Sequence, residues 1–298
     1  MNAYTLGAMV ANGTTVPQIV DYSLDPRIEK FSNRAGGSPD VSFVANRQSI
    51  PLVSFTTTAV KSILDLIGSL GVVAVGATVD LYLHQLAHGG SRTAGSTHLK
   101  LTVNDGLIVL RRISARHNQE ATAQVDVIAT YDGTNNPFTY TAAQALPASS
   151  LVAAEKFTAG DFKLGITLYD VQGIEIDTGI KEFVAGKSGE PYARFAAMMD
   201  REITITVDTL DATLITTVGV MGGAQSNATV FLKKIAENAD RVAAITAEHI
   251  SIACPTAYVY PGSARASQGS EAMAQIVVCP SDDGTNAPVT VDTTAAIA

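Results

Sequence analysis

The chain has 298 residues, an apolar fraction of 46%, a charged fraction of 16% and a net charge of −8. That length suits one large domain or two ordinary ones, and that composition excludes a disordered chain. The acidic excess lies in the second half: residues 1–150 carry ten basic and ten acidic side chains, whereas residues 151–298 carry ten and eighteen. This balance argues against a protein that grips nucleic acid through its phosphates.

No targeting, membrane or cofactor signal stands out along the chain. The start MNAYTLGAMVANG lacks the features of a signal peptide, and LGVVAVGATV at 70–79 is too short to span a bilayer. Cys254 and Cys279 have no metal-binding spacing and are expected to be small buried residues in a reducing compartment. We therefore expect a protein that is made inside a cell and uses no cofactor and no membrane.

In chain order, the first strong signals are a long polar segment and a strand that leads into a helix. The segment at 25–49 is punctuated by Gly and Pro, which predicts a long loop with a contact to make. SIPLVSF at 49–55 alternates like a strand. A helix should follow, capped by Thr57 or Thr58 and ended by Gly68 or Gly71. Its apolar stripe would be Val60, Ile63, Leu64 and Ile67.

The rest of the first half predicts β structure. Strands are expected in ATVDLYLHQL, in HLKLTVNDGLIVLRRIS with a turn at Asn104–Gly106, and in EATAQVDVIATY. DGTN at 132–135 should form a turn before a final strand that holds Phe138 and Tyr140.

The second half resembles the first. Asp132 and Asp283 differ by 151 residues, and the same offset pairs EATAQ with EAMAQ, His98 with His249, ATVDL with ATVFL, and Thr58 with Thr209. One ungapped offset is therefore expected from about 58 to 146, while 17–55 and about 170–206 correspond only in pattern. In the second copy EITITVD at 202–208 is a strand, Asp208 or Thr209 caps the helix, and the stripe is Leu210, Leu214, Ile215 and Val218.

These signals predict a mainly β protein of two tandem, similar antiparallel β-sandwich or barrel domains, each with one packed α-helix. The domains would span 1–150 and 151–298, with a junction near 146–156.

No catalytic, metal or cofactor motif competes with that interpretation. AGKSGE has Lys181 where a phosphate-binding loop needs its first Gly, and His84 and His88 lack the Glu of a zinc helix. There is no GxSxG motif, and the DGTN turns lack the ligand ladder of a calcium loop. We therefore expect no enzyme.

The order of polar segment, PLVSFTTTAVKSILDLIG and closing DGTNAPVTVDTTAAI resembles that of tail tube (major tail) proteins of long-tailed bacteriophages. The resemblance rests on residues 49–68 and 271–298, with weaker echoes at 120–146. It implies β-sandwiches flanked by a helix that join into rings of six domains, stack into a tube and let DNA pass without catalysis. The location would be the virion tail, assembled in the host cytoplasm, with other tail proteins as partners.

Two domains per chain would make such a ring a trimer with pseudo-sixfold symmetry. Candidate contacts between rings lie in 23–49 and about 177–200: Arg27, Lys30 and Arg34, with Asp177, Glu182 and Glu190 opposite them. A negative channel wall would repel DNA phosphates, and the candidate acidic residues facing the lumen are Asp80, Asp126, Glu202 and Asp208.

Other interpretations stay open. The chain could be another β-rich tail or neck component, such as a distal tail or terminator protein. A ligand-binding β-sandwich module is less favoured, because only 6% of residues are aromatic and Trp is absent.

Overall fold

The structure, a computed structural model, describes residues 3–76, 78–90, 93, 95–148, 153–237, 241–265 and 273–297. Across these residues the chain is mainly β, with large antiparallel sheets and two short helices. The predicted fold class is confirmed at that level. Part of the predicted junction, residues 149–152, lies outside the described residues, as do Glu271 and Ala272 of EAMAQ.

The first half contributes strands β1 to β12 and helix α1. Their bounds are β1 Ala3–Ala11, β2 Thr14–Val16, β3 Ile19–Asp25, β4 Ile28–Arg34, β5 Val41–Ser49, β6 Leu52–Thr57, α1 Val60–Ile67, β7 Val72–Ala74, β8 Val79–Leu86, β9 His98–Val103, β10 Gly106–Arg116, β11 Thr122–Ala129 and β12 Phe138–Gln144.

The second half contributes strands β13 to β22 and helix α2. Their bounds are β13 Lys156–Leu164, β14 Thr167–Tyr169, β15 Gly173–Asp177, β16 Lys181–Gly186, β17 Ala193–Asp200, β18 Thr204–Thr209, α2 Ala212–Val218, β19 Gly223–Ile235, β20 His249–Arg265, β21 Met273–Pro280 and β22 Thr290–Ala295.

In the first half, two sheets pack face to face. One has the order β12-β9-β8-β1-β2, and the other contains β10, β11, β6 and β3. Alternate apolar residues of both sheets are buried in one core cluster, for example Leu81 and Leu101 against Phe55 and Val127. Because side chains alternate between the two faces of a strand, this period of two places the core residues of each sheet on one face.

Helix α1 packs as predicted. Val60, Ile63 and Leu64 are buried, and Gly68 ends the helix with φ +72°, a conformation that costs Gly little. The predicted cap is corrected: the cap residue is Ala59, which makes no side-chain cap bond, so the cap is neither Thr57 nor Thr58. The hydroxyl of Thr57 accepts a hydrogen bond from the Ala59 amide at 3.0 Å and so satisfies the amide of the cap residue.

Helix α2 corrects two predictions. Asp211 is its cap and accepts from the Thr213 amide at 2.8 Å, so the cap is neither Asp208 nor Thr209. Leu214 and Val218 are buried, but Leu210 precedes the helix and is 37% exposed. The predicted start was too early because Asp211 offers a carboxylate that satisfies a free amide of the first turn.

The largest sheet runs through both halves of the chain. Its order is β14-β13-β19-β20-β21-β18-β15-β10-β11-β6-β3, with β22 beside β20 and β7 beside β10. Strands β10 and β15 join the two halves edge to edge, so no break in the sheet separates residues 1–150 from residues 151–298.

Strand registers recur along the sequence. Seven of the eight pairs of β10 with β11, from Gly106 opposite Ala129 to Ser114 opposite Thr122, return in β20 and β21 with the residue numbers raised by 151. A bulge follows Leu110 in β10 and the corresponding Pro261 in β20. The hydrogen-bonded turns at Asp132 and Asp283 keep the same offset and confirm the predicted DGTN turn.

The single ungapped offset from about 58 to 146 is wrong, however, at its first residue and in β8. Thr209 corresponds to Thr57, not to Thr58, because each hydroxyl donates to a preceding carbonyl and accepts the amide two residues on. The shorter α2 absorbs this one-residue shift. Likewise Leu81 lies opposite Leu101 and Val230 opposite Ile252, so ATVDL and ATVFL are two residues out of register.

Two long β-hairpins replace the predicted polar loops. The first arm is β4–β5 (28–49), and the second arm is β16–β17 (181–200). At an offset of 152 their pairs match, with Phe31 opposite Ala45 and Phe183 opposite Ala197. The segments 17–55 and 170–206 therefore correspond in register as well as in pattern, a relation that sequence comparison at 151 misses.

Candidate assembly surface

The junction between the halves is a strand pairing with a buried row and an exposed row. Ile113 of β10 lies opposite Ile176 of β15, and both are buried. On the other face Arg112 contacts Glu175 and Asp177, both at 3.1 Å. Backbone pairing, apolar burial and opposite charge therefore all favour this register.

Beside the junction, Arg111 holds a partly buried charge cluster. Its guanidinium donates to Asp126 Oδ2 at 2.7 Å, to the two oxygens of Glu182 at 2.9 and 3.0 Å, and to the Ile180 carbonyl at 2.8 Å. Burial alone would raise the pKa of Glu182, but the hydrogen bonds and charge of Arg111 outweigh it and lower that pKa. Arg111 thus ties the second arm to the first half.

The second arm also covers an apolar patch of the first half. Leu107 and Val109 of β10 are buried with Ile128 of β11, Leu52 of β6 and Ile180, which precedes the arm. The Val184 and Ala196 side chains of the arm pack against this cluster. The patch lies on the face of the large sheet that points away from the sandwich core.

The tip of the second arm is anchored by backbone bonds. The Ser49 amide donates to the Pro191 carbonyl at 2.7 Å, and the Tyr131 amide donates to the Ala193 carbonyl at 2.7 Å. The Arg194 guanidinium lies 5.0 Å from the centre of the Tyr131 ring, a cation–π contact. The arm is therefore fixed along its length.

The corresponding parts of the other half have no such cover among the described residues. Strand β3 corresponds to β15 and ends the large sheet, with β6 as its only paired strand in the described chain. Ala264 and Arg265 of β20 correspond to residues 113 and 114 of β10, and in the described chain they pair on one side only, with β21. Tyr258, the counterpart of Leu107, is 48% exposed.

The basic candidates for inter-ring contacts lie in or next to the first arm. Lys30 and Arg34 are exposed, and the Arg27 side chain is 43% exposed with Nε 3.9 Å from Asp25. Arg27 has φ +42°, where its counterpart Gly179 has φ +57°. The turn into each arm thus adopts the same left-handed conformation.

The acidic candidates are engaged within the chain. Asp177 pairs with Arg112 and Glu182 with Arg111, whereas Glu190 pairs with Arg194 inside the second arm. The structure therefore assigns these three carboxylates to contacts of their own chain, and the sequence had no signal for their partners.

The four candidate lumen residues lie in different environments. Asp80 accepts from Thr102 at 2.7 Å and pairs with Lys100 at 3.3 Å. Asp126 is 8% exposed and bonded to Arg111. The negative charges of Asp80 and Asp126 are therefore both compensated by basic side chains of the same chain. Glu202 is exposed and Asp208 half-buried. Glu202 lies near Tyr260, whose pKa is raised first by Cys279 and then by burial and Glu202.

No metal centre is found in the described part of the chain. No group of three or more His, Cys, Asp or Glu side chains there is placed to hold an ion. His98 and His249 accept from the Gln85 and Lys234 amides at 3.0 and 3.1 Å, so both support strand ends. Among the helices described, none is long and apolar enough to cross a membrane.

Comparison with known proteins adds no assignment. No family model matches this sequence, and no curated protein resembles it closely enough to count as a relative.

Proposed function

We propose that this chain is a tandem of two like β domains that self-assembles into stacked rings, forming the tail tube of a bacteriophage. The observation that carries this proposal is the β10–β15 junction. It joins the halves edge to edge and leaves the counterpart edges, β3 and the end of β20, unpaired in the described chain. Open edges of this kind are templates for pairing with another copy.

The internal junction specifies the expected intermolecular register. With offsets of 152 for β15 and 151 for β10, Ile176 opposite Ile113 becomes Leu24 of one copy opposite Ala264 of the next. Repeating one rotation closes a ring. If six domains complete it, three chains of 31.0 kDa give a ring of about 93 kDa, from 3 × 31.0.

The open face of the large sheet suits a channel wall. Its residues alternate with buried core residues such as Ile113, Ile176 and Ile205. From β3 to β18, on the part of this face that the second arm leaves uncovered, that alternation places the carboxylates of Asp21, Asp25, Glu175, Asp177 and Asp208 against the guanidiniums of Arg112 and Arg116. A polar, net acidic wall lets DNA pass without counterion release.

The arms offer a separate surface for contact between rings. Although the second arm is anchored, Phe183 and Phe195 stay 49% and 55% exposed with ring centres 6.4 Å apart. Their counterparts Phe31 and Phe43 are 53% and 57% exposed. Apolar side chains that stay uncovered after the arm docks mark a further interface, and stacking of rings supplies one.

A pair of substitutions on β3 tests the proposal. Leu24→Lys places a charge in the row that is buried at the internal junction, whereas Ser23→Lys places one on the opposite, polar face. We expect hollow rods by electron microscopy for the natural chain and Ser23→Lys, and only monomers for Leu24→Lys. Circular dichroism should show that both variants keep the β fold.

A natural chain that stays monomeric at high concentration would refute the proposal. Single rings that never elongate would favour a terminator or distal tail protein over a tube protein.

A further inference from the structure

We infer that the first arm of one copy docks on a second copy of this chain, in a groove of its second half. The groove would hold the tip of the arm, and the apolar side of the arm would cover Tyr258, Tyr260 and Cys279. This inference rests on the lateral self-assembly proposed above and assigns its second contact, beside the β3 edge.

The second arm supplies the template, because it fills the corresponding surface within the chain. There Ile180 is 6% exposed and packs with Leu107, itself 6% exposed. The counterparts are uncovered: Ile28 is 45% exposed and Tyr258 is 48% exposed. Ile28 and Tyr258 are thus two large apolar side chains at the positions that pack together in the first case, and here both are left exposed.

Two further members of the patch show the same contrast. Val109 and Ile128 are buried under the second arm, whereas their counterparts Tyr260 and Cys279 are half-buried. On the arm side, Ala196 packs against the patch and its counterpart Val44 is 60% exposed. The match is partial, because the counterparts of Leu52 and Val184 are Thr204 and Ser32, but the apolar positions that do match favour this arm over an unrelated partner.

The second half has a groove at the position where the tip of the first arm would lie. It has a volume of about 410 Å³, and the residues that line it include Arg201, Glu202, Ile203, Pro280, Asp282 and Pro288. In the first half the counterparts of Arg201 and Asp282 are Ser49 and Tyr131, whose amides bind the Pro191 and Ala193 carbonyls. Pro39 and Val41 of the first arm correspond to Pro191 and Ala193, so the tip has a matching sequence.

The tip conformation also recurs. Gly37 and Gly189 have φ +81° and +86°, so the two hairpins turn in the same way before Pro39 and Pro191. The tip of the exposed first arm thus has the same backbone conformation as the tip of the docked second arm.

Charge distinguishes the two arms and their sites. The second arm presents Glu182 to Arg111, whereas the first arm has Lys30 at the corresponding position. Arg111 is replaced by Gly262 in the second half, where the exposed carboxylate of Glu202 lies near Tyr260. Lys30 would be repelled by Arg111 and attracted by Glu202, so each arm selects its own site.

Cys279 provides a built-in probe for this contact. Ile28→Cys should form a disulfide with Cys279 of a neighbouring copy when diamide is added to assembled protein, because Ile180 and Ile128 share one apolar cluster. The matched control is Phe43→Cys, since the docked counterpart Phe195 points away and stays 55% exposed.

To show that the bond joins two chains, a tagged Ile28→Cys, Cys279→Ser chain is mixed with the untagged natural chain before assembly. A covalent heterodimer near 62 kDa, twice 31.0 kDa, is expected on a non-reducing gel. The double variant alone and the Phe43→Cys chain should give none above the level of unassembled protein.

The outcomes separate this inference from the function on which it rests. Rods or rings that form normally but give no heterodimer would overturn arm docking and leave the tube proposal standing. Equal cross-linking by Phe43→Cys would also overturn it, because the arm would then present its other face. A chain that remains monomeric would overturn both.

Discussion

Replacing Arg111 by Ala should test whether its charge cluster holds the second arm to the first half. The substitution removes four hydrogen bonds and leaves Asp126 and Glu182 without their cation. The three side chains are 22%, 12% and 20% exposed, so water can replace only part of what is lost. Breaking a fully buried pair costs about 3–5 kcal/mol, and this residual exposure reduces our expectation to about 2–3 kcal/mol.

Arg112→Ala is the matched control, because Arg112 also bridges two carboxylates but is 47% exposed. Exposed pairs contribute about 0.2–1 kcal/mol, so this variant should lose less than half as much. The free energy of unfolding is measured for each chain by urea denaturation at a concentration below assembly.

The effect of Arg111 should depend on pH. Arg111 lowers the pKa of Glu182 in the folded chain below the ordinary 4.5. The pair of Arg111 and Glu182 therefore stabilises the fold above about pH 4.5, and this stabilisation is lost as the pH falls through the lowered pKa of Glu182. The difference between the natural chain and Arg111→Ala should therefore shrink from about pH 7 to about pH 3. A loss no larger than that of Arg112→Ala, or one that does not change with pH, would refute the reasoning.

Three further predictions concern single positions. Thr57→Val should lower the free energy of unfolding by about 1–2 kcal/mol in a urea titration, because a fully buried hydroxyl donates to Pro17 and accepts from Ala59. Gly179→Ala should lower the melting temperature more than Gly189→Ala: both have positive φ, but a Cβ at 179 would overlap the Glu202 carbonyl oxygen, whereas one at 189 would meet no atom within 4 Å. In a thiol titration of the native chain at about pH 8, only Cys279 should react quickly. Cys254 should react slowly, because burial raises the pKa of its thiol to about 12. Two fast-reacting thiols before denaturation would contradict this.

Sequence reasoning succeeded where the signal is local. Period-two runs located the strands around Phe55 and Val125, and the stripe from Val60 to Ile67 located α1. The DGTN turn was found because an Asp side chain can bond the amides two and three residues on. These features depend on neighbours in sequence, so they can be recognised without coordinates.

The arms were missed for a local reason as well. Gly and Pro at the tip and many polar residues hid the alternation of Phe31, Phe43 and Val41, and an isolated hairpin buries too little to give a clean pattern. The role of Arg111 could not be predicted, since its carboxylate partners lie 15 and 71 residues away in sequence.

The sequence by itself determined the β class, the positions of strands such as β6, β8 to β11 and β18, and the repeated DGTN phrase, because side-chain period and turn chemistry act over a few residues. Only the tertiary structure decided that β10 pairs with β15, that the two halves share one sheet, and that one arm is docked while the other is exposed. Those contacts bring together residues far apart in the chain, and their stability comes from shared burial and charge compensation that no local pattern records.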